Sequence, residues 1–250
     1  AYILEAVLNP ERRLSWREFA IIMGAFFWGC RIKAVYAPLI LMGFLIPADR
    51  FETKKKRNWM RAGFAAMFLL TMASFVLPVL ISPSEAGQMA YVLGQPLAYA
   101  AVLFKNIFSS FPSYVLGEGA LGTLGHLGVV SFPWLLYAAS AAVILTDTRS
   151  SCGKTLTKGQ RLWIFLLSGA CAVLVWTSMY IAFTPPGNTY IEGVQGRYYL
   201  PFLFLVWLAV SPSCVQVKLK NSVYYPLVLA LAGTVFYAVY AVDVLSALCL

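Results

Sequence analysis

A short polar segment, residues 191–201, carries the residue types in this chain that could do chemistry. It reads I-E-G-V-Q-G-R-Y-Y-L-P and places one acid, one amide and one base between two long apolar runs. Glycines flank Val194 and Gln195, which predicts a sharp bend or a close backbone approach. Pro201 fits the first turn of a helix, where its missing N–H removes no hydrogen bond. The segment therefore predicts a loop and then a helix start, with Gln195 and Arg197 at its mouth.

A helix start that carries an arginine can bind an anion. The first turn offers free N–H groups and a partial positive charge, and Arg197 adds a full charge. This combination suits a phosphate or a carboxylate. The alternative is an ordinary loop between helices whose arginine reaches up to lipid headgroups. Residue types alone leave both interpretations open.

The composition indicates that lipid is the solvent for much of the chain. Apolar residues make up 60% of it, charged residues 12%, and the mean hydropathy is +0.75. A water-soluble domain of 250 residues needs less apolar surface than this. The five cysteines show no metal-ligand spacing and there is one histidine, so we predict no disulfide framework, no metal and no cofactor.

Apolar runs and capping signals predict an all-α integral membrane protein. Capping boxes mark two helix starts, Ser15 with Glu18 and Thr157 with Gln160. About seven helices follow, and several are shorter than the roughly 20 residues that a full crossing needs. We expect one polytopic domain over residues 1–250, and a fragment that lacks upstream helices. The predicted helices cover residues 16–30, 34–47, 62–81, 127–145, 158–183, 198–210 and 223–245.

The basic residues predict the orientation of these helices. Most of the 19 lysines and arginines fall in four segments, which the positive-inside rule assigns to the cytoplasm. The net charge of +9 is therefore a topology signal, and we expect no nucleic-acid partner. Residues 191–201 then lie on the outer side. The four cytoplasmic segments are residues 1–17, 49–61, 146–161 and 214–221, and the remaining basic residues are Arg31, Lys33, Lys105 and Arg197.

Residues 82–126 form a long segment that we expect outside the membrane. Between Pro96 and Pro112, apolar residues recur at helical spacing, which predicts an interfacial amphipathic helix of about three turns. It would either cover a lipid-facing cavity or simply pack on the bundle. A glycine-rich stretch follows, and since no strand precedes it, it fits a nucleotide-binding loop poorly. The predicted apolar face consists of Ala100, Leu103, Phe104, Ile107, Phe108 and Phe111, opposite Lys105, Asn106, Ser109 and Ser110.

The string I-x-G-V-Q-G-R-Y-x-L-P resembles the signature of a bacterial family of predicted multi-pass membrane proteins of unknown function. That family is grouped with the GT-C glycosyltransferases, which use polyprenyl-phosphate-linked sugars. The segment K-x-x-Y-x-P-L at residues 33–39 and the step Gln95-Pro96 resemble the family as well. The resemblance implies a GT-C-like fold, a multi-pass place in the bacterial inner membrane, and the bilayer and a lipid-linked sugar as partners. The lipid-phosphate site that it implies comprises Arg197, Gln195, Gly196, Tyr198, Lys33 and Tyr36.

The resemblance leaves the catalytic base unassigned. Related enzymes keep an acidic pair in the first outer loop, which this chain does not contain, and neither Glu118 nor Glu192 is assigned that role. His126 stands where many family members carry tryptophan, so we give it no role. Three functions stay open: a glycosyltransferase of cell-envelope glycans, a transporter or flippase of lipid-linked sugars, and a non-catalytic scaffold of a polysaccharide cluster. An acidic pair upstream would favour the first, and an internal repeat of the helix unit the second.

Overall fold

A computed structural model describes residues 2–116, 133–146, 156–185, 188–210 and 219–238, together with residues 241 and 245. Every regular element within these ranges is a helix, which confirms the all-α prediction. Short 3₁₀ helices join several of the α helices. The α helices are α1 (Tyr2–Leu8), α2 (Trp16–Ile32), α3 (Lys54–Ile81), α4 (Pro83–Gly94), α5 (Pro96–Leu116), α6 (Pro133–Thr146), α7 (Lys158–Phe183), α8 (Leu200–Val210) and α9 (Asn221–Tyr237).

The chain divides into two compact units. The first comprises Ala1–Leu103 and Ser151–Glu192, and the second comprises Phe104–Ser150 and Gly193–Leu250. In the first unit, α3 with 28 residues and α7 with 26 are long and apolar enough to cross a membrane. Only 17% of the apolar window of α3 is buried, so most of that surface is free to face lipid. In the described ranges these two are the candidate spans, fewer than the seven predicted.

The centre of the first unit is a 3₁₀ helix, Ala34–Leu45, where we predicted a short α-helical membrane segment over residues 34–47. The prediction of an α helix there is wrong. Pro38 lies inside the segment and has no N–H to donate, and the segment packs against α2, α3 and α7. Eight of its twelve residues are buried, so it has no polar face to turn toward water. An apolar segment of this kind belongs in the core of the unit.

Two contacts hold this 3₁₀ helix in place. Gly43 lies directly against the ring of Phe64 on α3, and Phe64 is 0% exposed. Phe19 on α2 meets the same ring edge to face, with centroids 5.2 Å apart. On the opposite helix, the Trp163 indole N–H donates to the Leu41 carbonyl at 3.3 Å. The close approach at Gly43 is therefore part of how α2, α3 and the 3₁₀ helix pack.

Helix α3 begins eight residues earlier than predicted, at Lys54 instead of residue 62. Thr53 caps it, and its hydroxyl accepts the Lys56 N–H at 3.1 Å. Most of the basic residues in the segment 49–61, which we predicted to lie between helices, therefore lie in the first turns of a helix. Lysine and arginine are good helix formers, so their charge did not mark a loop.

Two basic residues of the segment 49–61, Arg50 and Lys56, are buried and paired with acids. Arg50 is 5% exposed, pairs with Asp49, and donates from Nε to the Ala6 carbonyl at 3.1 Å, which ties α1 to the unit. The Lys56 ammonium lies 3.1 Å from Glu52 Oε1, with 7% of its side chain exposed. Because buried charges need partners, these pairs are required by the fold.

The far ends of the two candidate spans lie together. Val79 near the end of α3, Met89 on α4 and Ile181 near the end of α7 form one buried apolar cluster. Both spans also begin with basic turns, which carry Lys54 to Arg57 in α3 and Lys158 and Arg161 in α7. That both helices leave the cytoplasmic side stays a prediction of the positive-inside rule.

Helix α5 contains the predicted amphipathic helix but is longer, and α4 precedes it. Leu103 is buried as expected. Asn106 is also buried, at 2% exposure, whereas Phe104 and Phe108 of the apolar face are 57% and 73% exposed. Apolar side chains that face lipid are not driven inward, so in a membrane the apolar stripe does not identify the packed face. The glycine-rich stretch, with Glu118 and His126, lies outside the described residues.

In the second unit, α6 packs against α9. α6 covers the described part of the predicted helix at residues 127–145, and α9 covers most of the one predicted at residues 223–245. The predicted helix at residues 198–210 is divided between a 3₁₀ turn, Gly196–Tyr199, and α8.

The predicted capping box at the start of α2 is present. The Ser15 N–H donates to Glu18 Oε2 at 2.9 Å, and the Glu18 N–H donates to Ser15 Oγ at 3.2 Å. Arg12 also donates to the Glu18 carboxylate. These contacts lower the pKa of Glu18 below its ordinary value. The backbone hydrogen bond from Ser15 is the main cause, and the Ser15 hydroxyl and Arg12 add to it.

We expect the start of α2 to lose stability on acidification below the ordinary glutamate pKa of 4.5. A lowered folded-state pKa gives stabilisation that is complete above the unfolded-state value and is lost as the pH falls through the folded-state value. Glu18→Gln keeps an acceptor for the Ser15 N–H but removes the titrating group. Hydrogen exchange of the first α2 amides, measured against pH, should therefore show a weaker acid response in the variant. An equal response in both proteins would contradict this role.

Candidate functional site

The polar segment, residues 191–201, is anchored by its apolar residues. Ile191 is 2% exposed and Val194 is 8% exposed, whereas Glu192 and Arg197 are exposed to solvent. Gly193 has a φ of 79°, in the left-handed region that favours glycine. The bend that the glycines predicted is therefore present at Gly193.

The helix start is also where the sequence places it. The Gln195 carbonyl accepts the Tyr198 N–H at 3.0 Å, and this bond closes the 3₁₀ turn Gly196–Tyr199. The turn continues directly into α8, with Pro201 in the first turn of the α helix. Gln195, Gly196, Arg197 and Tyr198 thus stand together on one turn of the second unit.

Arg197 presents its charge outward. Its guanidinium carbon lies 5.5 Å from the centre of the Tyr198 ring, close enough for a cation–π contact. Within the part of the chain that the structure describes, Arg197 forms no ion pair with an acid. The ring orients the guanidinium without neutralising it, so the charge remains available to an anion.

The Gln195 side chain contributes a hydrogen-bond acceptor, whereas the Arg197 guanidinium has only donors. The Gln195 side chain is half-buried, and Oε1 is inaccessible to solvent and has no hydrogen-bond partner among the residues that the structure describes. Leaving a buried acceptor unpaired costs about 1–3 kcal/mol. Such an atom is satisfied by an N–H or O–H donor.

The other two residues of the implied site belong to the first unit. Lys33 ends α2 in an extended conformation, and its carbonyl accepts the Tyr36 N–H at 3.2 Å. Both side chains are half-buried. The structure brings Lys33 and Tyr36 together at the junction of α2 and the central 3₁₀ helix. They belong to the first unit, whereas the turn that carries Arg197 belongs to the second.

One residue near the polar segment was missed by the sequence analysis. Gln88 on α4 is 3% exposed, and its Nε2 donates to the carbonyls of Thr184 and Pro185 at 3.0 and 3.3 Å. It thereby fixes the loop that leaves α7 toward residue 191. Its partners lie 96 and 97 residues away along the chain, so no local pattern in the sequence identified it.

An aromatic cluster backs this loop. Tyr180 on α7 lies against Tyr91 and Tyr99, with ring centroids 6.3 and 5.2 Å apart. The Tyr99 hydroxyl bonds to Thr177 Oγ1 at 2.7 Å. The cluster holds α4, the first turns of α5 and the end of α7 together, so the loop leaves a rigid base.

The described residues offer little for a metal ion or a general base. Among them, no group of three or more histidine, cysteine, aspartate or glutamate residues could hold a metal. Glu192 is exposed, and its N–H faces Thr184 Oγ1 at 3.5 Å. The geometry therefore assigns Glu192 no catalytic role.

Two of the apolar helices in the described residues are long enough to cross a bilayer, as expected of a helical membrane protein. Residues 1–206 match the family described as "Predicted membrane protein (DUF2142)", and the chain belongs to that family. The description names a membrane location and no activity. No curated protein and no solved structure matches the chain. The predicted membrane family is thus confirmed, while the grouping with GT-C enzymes stays a prediction.

Proposed function

We propose that this chain is part of a GT-C-like membrane protein that uses a polyprenyl-phosphate-linked sugar in bacterial cell-envelope glycan assembly. The observation that carries the proposal is the turn Gly196–Tyr199. It presents an exposed arginine, unpaired by acids in the described residues, at the start of a helix. This is the arrangement that binds phosphate.

The two polar side chains of the turn have different roles in this proposal. The Arg197 guanidinium binds the phosphate, because it offers only donors and a full charge. Gln195 Oε1 is an acceptor, and ionised phosphate oxygens have no proton to give it. A sugar hydroxyl does. We therefore assign Arg197 to the phosphate and Gln195 to the sugar of the same lipid.

The neighbouring residues support these two roles. Gly196 is buried and has no side chain, which lets the chain turn tightly between Gln195 and Arg197. Tyr198 holds the guanidinium over its ring. On the first unit, the K-x-x-Y-x-P-L segment supports a separate role in lipid-phosphate binding for Lys33 and Tyr36.

The chemistry that the turn can supply is stabilisation of a leaving group. When an acceptor hydroxyl attacks the sugar carbon, the bond from that carbon to the lipid phosphate breaks and negative charge grows on the phosphate. A fixed guanidinium at that position stabilises the charge where it develops. The base that takes the hydroxyl proton remains unassigned.

Gln195→Leu tests the assignment of the sugar. We expect it to weaken binding of a lipid-linked sugar by roughly tenfold, the cost of one lost hydrogen bond to a buried acceptor. Bare polyprenyl phosphate should bind the variant as it binds the wild type. Gln195→Asn, which keeps a neutral amide acceptor, is the matched control and should retain more of the preference for the sugar than Gln195→Leu does.

Incubation of the intact protein in vesicles with the lipid-linked sugar separates the three candidate functions. Formation of a glycan product supports the enzyme. Movement of the lipid-linked sugar across the bilayer without a product supports a transporter. If Gln195→Leu weakens the binding of both lipids equally, Gln195 has no role in sugar recognition. If the wild type binds neither lipid, a scaffold is favoured.

A further inference from the structure

A groove of about 390 Å³ lies where α2 and α3 begin. It belongs to the first unit and is independent of the turn that carries Arg197. Two tryptophans form its walls, and both are exposed, Trp16 to 54% and Trp59 to 63%. The residues that line it are Trp16, Glu52, Thr53, Lys55, Lys56 and Trp59.

The groove has a cationic rim. Its one acid, Glu52, is matched by Lys56, whose ammonium lies 3.1 Å away and is largely buried. Lys55 is exposed and therefore sets the sign of the accessible charge. Lys54 and Arg17, next to the groove residues in sequence, are exposed as well and add to the positive field.

The groove also lies at the ends of two apolar helices, where basic residues meet apolar runs. On α3, Trp59 comes after the basic first turn and before the apolar run that makes this helix a candidate span. Trp16 opens the apolar helix α2 in the same way. Tryptophan is enriched at this boundary, where its ring meets both acyl chains and water. The site therefore combines a surface for anions with a surface for apolar groups.

We propose that this groove binds the headgroup of an anionic phospholipid from the surrounding bilayer. Lys55 binds the lipid phosphate, and the two indoles flank the glycerol and the first acyl carbons. Charge complementarity selects an anionic lipid over a zwitterionic one. A free phosphate ion would use the lysine but neither indole, so the exposed tryptophan pair favours a lipid. The bound lipid fixes the first turns of α2 and α3 at the membrane surface.

Native mass spectrometry of the full chain with phosphatidylglycerol and phosphatidylcholine of matched acyl chains tests this proposal. The wild type should retain phosphatidylglycerol preferentially. Lys55→Ala should lower that preference about fivefold, the effect of one lysine near an anionic surface. Trp59→Ala should lower retention of both lipids. Both residues are exposed, so these variants keep the fold, which the elution volume of the chain in detergent verifies.

Matched variants distinguish a site from diffuse attraction. Lys54→Ala removes a neighbouring charge outside the groove, and Trp28→Ala removes an indole that is 73% exposed elsewhere on α2. Lys54→Ala should have a clearly smaller effect than Lys55→Ala, and Trp28→Ala a clearly smaller effect than Trp59→Ala. The proposal fails if Lys54→Ala and Lys55→Ala have equal effects, or if Trp28→Ala and Trp59→Ala do. It also fails if inorganic phosphate at constant ionic strength displaces phosphatidylglycerol, since the site would then bind the free ion.

Discussion

Arg197→Ala is expected to weaken binding of polyprenyl phosphate by roughly ten- to a hundredfold. A hydrogen bond to a charged group contributes about 1.5–3 kcal/mol, and each 1.4 kcal/mol is a factor of ten in affinity. Because the side chain is exposed, its loss should leave the fold and the membrane insertion unchanged. The measurement is the Kd of the purified chain in detergent for a short-chain polyprenyl phosphate.

Two control variants sharpen this result. Arg197→Lys keeps the charge but loses the planar pair of donors, so it should bind with intermediate affinity. Arg31→Ala removes another exposed base of the predicted outer side, at the end of α2, and should bind as wild type. If Arg31→Ala weakens binding as much as Arg197→Ala, the lipid responds to general positive charge and the turn has no special role.

Gly43→Ala is expected to destabilise the first unit by about 1–3 kcal/mol, the usual cost of overpacking a core. A Cβ at this position would lie 2.3 Å from Cδ2 of Phe64, far inside van der Waals contact. The ring cannot move away easily, because it is fully buried and Phe19 packs against it. The denaturant midpoint of the chain in detergent, followed by circular dichroism, measures the loss.

Gly169→Ala on α7 is the matched control. A Cβ there meets nothing within 4 Å, and alanine favours a helix over glycine, so this variant should be neutral or slightly stabilising. Phe64→Leu supplies the second test, since a smaller side chain makes room for the new methyl. The double variant of Gly43→Ala with Phe64→Leu should therefore lose less than the two single variants together. Strictly additive losses would mean that the two residues do not compete for space.

Local signals predicted part of this fold well. The capping box at Thr157 and Gln160, followed by an unbroken apolar run, predicted α7 with both of its ends. Gly193 and Pro201 predicted the bend and the helix start of the polar segment. In each case the residue type restricts the backbone directly, so no distant partner is needed to draw the conclusion.

Other features depend on packing and could not be derived from local patterns. The segment Ala34–Leu45 is apolar on all sides, which fits a membrane helix and a buried 3₁₀ helix equally well, and its neighbours decide between them. Asn106 is buried on α5 although the apolar stripe lies elsewhere, because lipid accepts the phenylalanines. Gln88 reaches Thr184 across 96 residues, a contact that no sequence window contains.

Part of the candidate site could likewise be predicted from local sequence, and part could not. Its four consecutive residues, Gln195 to Tyr198, were predicted as a group, and a single turn presents them. Lys33 and Tyr36 were added through the resemblance, and the structure shows them as a local pair in the first unit. The unpaired Oε1 of Gln195 required coordinates, because only a structure shows which acceptors are buried.

The most direct test of the central claim is photo-crosslinking with a polyprenyl phosphate that carries a photoreactive group beside the phosphate. The full chain in membranes would be labelled, digested and mapped by mass spectrometry. We predict saturable labelling within residues 193–199, displaced by unlabelled polyprenyl phosphate and reduced in Arg197→Ala. Saturable labelling confined to other segments, or none at all, would contradict the claim that this turn binds the lipid phosphate.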